Sequence, residues 1–96
     1  MKVYQINYDL RKQRNYDELY KKIQSYSNWC RPLESCWLVI SDKSAVDIRN
    51  DLQTVLDADD GLLVTRLKGE AAWHKVNSDR NSQMTTWLKD NLGKAA

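Results

Sequence analysis

Asp9 closes the alternating stretch "VYQINYD", and Arg11, Lys12 and Arg14 follow within five positions. A carboxylate at a strand end can hold a hard divalent cation such as Mg²⁺ or Mn²⁺ through oxygen. That cation can then polarise a phosphodiester and activate water, while nearby bases neutralise phosphate charge. One carboxylate is a poor Mg²⁺ site, so this chemistry calls for a second Asp9 brought up across a two-fold axis. Tyr8 and Tyr16 would offer stacking surfaces beside the bases. The same residue types also read as a turn, with Asp9 capping it or pairing with Arg11 or Lys12. On residue chemistry alone that second reading leads.

Three further acids, Asp57, Asp59 and Asp60, fall in "DADDG". They lack the spacing and terminal Glu of a calcium loop, so they are expected to stop a helix and keep it soluble. His74, the one histidine, has no visible partner for general-base work and reads as a surface residue. Cys30 and Cys36 match no zinc or redox spacing and are expected to be packing residues. Nucleophile-elbow, P-loop and dinucleotide motifs are absent from the sequence.

The elements that must position these residues follow from periodicity. A chain of 96 residues makes one domain, and its 42% hydrophobic and 29% charged content is that of a globular protein. Residues 2–8 read as a strand. Asn15 is placed to cap a helix from Tyr16, with Tyr16, Leu19, Tyr20, Ile23 and Tyr26 on one face. Cys36–Ile40 are continuously apolar, as in a strand buried on both faces, and Pro32 belongs at its start or on an edge. Ser44 opens a second helix with a buried stripe of Ala45, Ile48, Leu52, Val55 and Leu56. Leu62–Leu67 form another strand, and Gly69 ends it. The order is α+β, either βαβαβ or, if 31–41 divides into two strands, a ferredoxin-like βαββαβ sandwich.

Residues 1–69 are thus expected to form the core, and residues 70–96 an extension of the same domain. The extension reads as a short strand or arm, then a helix from about Asp79 carrying Met84, Trp87, Leu88 and Leu92, with Gly93 as its stop. Trp73 and Trp87 are expected to bury it against the body, against a second subunit, or on a protein partner. Basic ends flank an acidic middle at 35–60, which suits either a phosphate-binding face or internal pairing. The sequence holds no membrane-length apolar run and its start lacks a signal-peptide core, so the expectation is a cytoplasmic protein without a membrane.

Three stretches together resemble the CRISPR-associated protein 2 family. "INYDLRK" resembles that family's opening strand with its Tyr-Asp end. "LESCWLV" is similar to its Q-x-S-V-F segment, with Ser35, Cys36 and Trp37 in the Ser, Val and Phe positions. "LDADDGLLVTRL" is similar to its D-x-x-D-S-V-R-I-Y-x-L passage, with Asp57 and Asp60 in the acidic positions. Virulence-associated protein D ribonucleases share the expected fold. The resemblance implies a homodimer of ferredoxin-like subunits that handles RNA or DNA in antiviral defence. In such a dimer Asp9 would be the catalytic and metal-binding residue of a Mg²⁺- or Mn²⁺-dependent endonuclease, and Arg11, Lys12 and Arg14 would bind nucleic acid. The alternative is a non-catalytic dimeric scaffold or a toxin–antitoxin-type module. Leu33 stands where the family favours Gln, and Leu63 where it favours Arg.

Overall fold

The computed structural model describes residues 1–12, 15–26, 28–74, 76 and 82–92. The chain runs β1 (Lys2–Asp9), α1 (Asp17–Gln24), β2 (Asn28–Leu33), β3 (Cys36–Ser41), α2 (Ala45–Gln53), β4 (Gly61–Leu67) and α3 (Ser82–Leu92). The four strands form one antiparallel sheet in the order β2-β3-β1-β4. The 31–41 segment does divide, at a turn over Glu34 and Ser35, and the chain is α+β.

Alternation in β1 sends Tyr4, Ile6 and Tyr8 to one face, where they meet Trp37 and Val39 from β3. Leu19 and Ile23 from α1 and Ile48 and Leu52 from α2 close over them, all fully buried. Burying each such aliphatic side chain contributes about 1.5–3 kcal/mol. The Ser44 hydroxyl accepts from the Asp47 N–H at 3.1 Å and caps α2 as expected. Asn15 is not the N-cap that its pattern predicts. The helix α1 starts one residue later, at Asp17, with Tyr16 at the cap position, and Asn15 Oδ1 accepts from Asp17 N–H at 2.7 Å in an Asx turn that leads into the helix. The helix α2 stops at Gln53, before "DADDG", and Val55 and Leu56 pack on the core from the turn beyond it.

Asp51 ties the two helices together. It accepts from Tyr26 Oη at 2.9 Å and pairs with Lys22 Nζ at 3.3 Å and Lys43 Nζ at 3.9 Å. Burial alone would raise the Asp51 pKa, but the Tyr26 hydrogen bond and the two lysines outweigh it and hold the carboxyl below its ordinary value. A depressed folded-state pKa contributes stability that is complete above the unfolded-chain value and is lost as pH falls through the folded one. Acid titration of the melting temperature should therefore show a downward limb in the carboxylate range that is shallower in Asp51→Asn; equal limbs would contradict it.

The second face of the sheet is covered by α3 and the arm before it. Leu88 of α3 is 3% exposed and packs on Cys30, Cys36 and Leu38, with Trp73, Val76, Trp87 and Leu92 around them. Trp87 Nε1 donates to Asn28 Oδ1 at 2.7 Å, pinning α3 to β2. Both tryptophans of the extension thus pack on the body. Residues 70–74 form an arm rather than a strand, and His74 is exposed as expected. The expected helix start at Asp79 and its stop at Gly93 lie outside the described residues, as does the side chain of Met84. Both cysteines are buried and free.

Candidate functional site

The end of β1 and the turn before β4 meet because Asp9 and Gly61 are register partners. Gly61 leaves room for this: a Cβ there would stand 3.3 Å from Asp9 Cβ and 3.5 Å from Arg11 Nη2. Arg11 then folds back along the turn. Its Nη2 lies 3.2 Å from Asp9 Oδ2 and its Nε 3.3 Å from the same oxygen. Its Nη1 donates to the Asp59 carbonyl at 2.9 Å, and its backbone N–H donates to Asp60 Oδ1 at 2.8 Å. Lys12 Nζ pairs with Asp59 Oδ2 at 3.4 Å.

Beneath this surface layer, Asp60 organises the turn. Its carboxylate accepts from Tyr16 Oη at 3.0 Å and from Asp57 N–H at 2.9 Å. The Tyr16 hydroxyl also reaches Asp57 Oδ2 at 3.3 Å and accepts from Lys12 N–H at the same distance. Burial, then the Asp60 hydrogen bond, raises the Tyr16 pKa, so the phenol stays a neutral donor. An open groove of about 400 Å³, lined in part by Arg49, Gln53, Asp57 and Asp60, adjoins the turn.

The structure therefore brings Asp9, Arg11 and Lys12 together, and joins them to the "DADDG" acids that sequence separates by some fifty positions. Arg14 lies outside the described residues. Asp9 pairs with Arg11, one of the two partners its chemistry offered. This pair is exposed, with side-chain exposures of 73% for Asp9 and 54% for Arg11, so it adds little stability by itself.

Within this chain the oxygens of the turn do not offer a Mg²⁺ site. Asp9 faces a guanidinium, and Asp60 is occupied by three N–H or O–H donors. Among the described residues no group of three His, Cys, Asp or Glu side chains is placed to hold a metal ion. The tyrosines expected to stack on bases are not open for it. Tyr16 is 5% exposed and Tyr8 8%, both held in the core.

The chain matches no protein family model, no curated protein and no solved structure.

Two features escaped sequence reasoning. Asp60 is the hub of the turn, and only its place in an acidic cluster hinted at that. Arg31 lies over the rings of Tyr20 and Trp37, 4.9 Å from each centroid. Its guanidinium donates to the Glu34 carbonyl at 2.7 Å and to Tyr8 Oη at 3.3 Å. Nothing in the spacing of "CRPLES" signals that arrangement, because Tyr8, Tyr20 and Trp37 come from three other elements. Among the described residues no helix is long and apolar enough to cross a membrane.

Proposed function

We propose that this chain is a dimeric, non-catalytic scaffold that binds nucleic acid, of the kind the CRISPR-associated protein 2 resemblance implies. The strand order and antiparallel neighbours support a ferredoxin-like plan, since β4-β1-β3-β2 with two βαβ crossovers is its signature. The observation that carries the non-catalytic reading is the Asp9–Arg11 pair. The one residue the resemblance makes catalytic has its carboxylate turned to a cation of its own chain. In this reading Asp9 shapes the turn, and a phosphate would have to compete with Asp9 and Asp59 for Arg11 and Lys12.

The test is a cleavage assay on RNA and DNA with and without Mg²⁺ or Mn²⁺, run on wild type and Asp9→Ala, beside a binding assay on the same strands. Both proteins should bind and leave the strands intact. Binding should weaken as salt rises, because phosphate contacts release counterions. Metal-dependent cleavage that disappears in Asp9→Ala would overturn the scaffold and establish an endonuclease. The exposure of the Asp9 carboxylate is what keeps that second reading in view, since a metal shared with another subunit could displace so exposed a pair. Failure to bind either nucleic acid would remove it as the cargo.

A further inference from the structure

The sheet has two edges, and the chain treats them differently. On β2, Pro32 removes a donor, the register with β3 shifts between Cys30 and Leu33, and α3 packs alongside. Proline, irregular register and a covering helix are the means by which proteins disarm an edge. The other edge, β4, also has a helix alongside it, α2, but it has neither proline nor a shift in register. "GLLVTRL" is seven residues long, contains no proline and keeps unbroken register with β1 over its whole length. Among the described residues no strand pairs with its outer side. Leu63 on it is 61% exposed.

Its flanks differ in charge. The turn that leads into β4 gathers Asp9, Asp57, Asp59 and Asp60 around Arg11 and Lys12, leaving that corner negative. The far end carries Arg66 and Lys68, with Glu70 two residues on, so it is positive by one charge, and among the described residues neither base forms an ion pair. A strand that is negative at one end and positive at the other complements itself when a second copy runs antiparallel to it.

We propose that β4 is a self-pairing edge, where two copies of this chain join antiparallel about Val64 into one continuous eight-stranded sheet. This gives the dimer of the scaffold reading, on which it rests, a defined interface. A two-fold axis normal to the sheet keeps side chains on their own faces, so residues of equal parity face each other. Leu63 then meets the partner's Thr65, and Lys68 meets the partner's Asp60. The helix layers fall on one side of the joined sheet. Asp9 pairs with Gly61, and Gly61 stands opposite the partner's Leu67. At strand spacing the two Asp9 side chains are therefore more than about 20 Å apart, too far to share a metal ion.

Sedimentation equilibrium of the full chain without nucleic acid tests this. At low salt the mass should be twice 11.3 kDa, and added salt should weaken the association by screening the end charges. The double variant Arg66→Glu/Lys68→Glu sets like charge against like and should weaken it by about ten-fold or more. Both residues are exposed, so its circular dichroism should match wild type. A monomer at about 100 µM, where even a weak specific dimer is populated, would overturn the proposal and leave the edge to a strand of another protein. An association that the double variant leaves unchanged would overturn it equally. Because no nucleic acid is present, either failure leaves the binding test of the scaffold standing, and a failed binding test leaves this one standing.

Discussion

Trp37→Ala should lower folding stability by about 3–5 kcal/mol, the cost of removing a large aromatic from a packed core. Trp37 is 1% exposed and sits at the centre of the helix-covered face. Its ring packs against Trp29 at 5.3 Å and Tyr20 at 6.1 Å between centroids. Arg31 lies over it, and its Nε1 donates to Tyr8 Oη at 2.9 Å. The alanine variant would leave a cavity, free Arg31 on one side and take a donor from the Tyr8 oxygen. Trp37→Phe separates these terms. It keeps most of the volume and loses the indole N–H, so it should cost about 1–2 kcal/mol, the range for one buried hydrogen bond with a small packing defect. Chemical denaturation of the three proteins measures both. Equal losses for Ala and Phe would mean that the hydrogen bond, not the ring, holds this corner.

Leu88→Ala is expected to cost about 2–5 kcal/mol and to have a chemical signature besides. Leu88 covers Cys30, Cys36 and Leu38. Burial, with Cys36 beside it, pushes the Cys30 thiol up to about 12. Burial also raises Cys36, against the hydrogen bonds of Asn7 and Gln5 that favour its thiolate. At neutral pH both are protonated and shielded, so wild type should react slowly with an alkylating reagent. Loosening α3 in Leu88→Ala should speed alkylation of both cysteines while the helix-covered core persists. Rapid alkylation of wild type would show that α3 does not cover this face in solution. The two predictions concern opposite faces of one sheet, and their energies should nearly add in the double variant, since the sites share no partner.

Much of this fold was legible because its signals are local. The period of two in "VYQINYD", the helical stripe Leu19, Tyr20, Ile23 and the Ser44 cap each act within a few residues, and each is found where the pattern put it. Pro32 announced an edge strand for the same reason, since a missing donor matters wherever the strand lies. The small errors also have local causes. Asn15 forms an Asx turn to Asp17 N–H in place of the expected cap, because an Asx side chain reaches two residues on, and the helix starts one residue later. The expected open tyrosines were misread because a ring followed by acids and bases looks the same whether its face is wet or packed. Tyr8 and Tyr16 bury their rings and direct only their hydroxyls to polar partners.

By itself, then, the sequence determined the α+β class, the place of most strands and helices, and the residue types at the turn after β1, and left open whether 31–41 holds one strand or two. Periodicity and capping are short-range physics, and a chain of this length carries enough of both. Only the tertiary structure decided what those residues face. It brought Arg11 between Asp9 and the "DADDG" turn, placed Asp60 under Tyr16, and laid the C-terminal tryptophans over the chain's own sheet. It also made one sheet edge irregular and left the other regular and unpaired among the described residues. Each of these depends on which strand lies next to which, a choice made by the whole core at once rather than by any stretch within it.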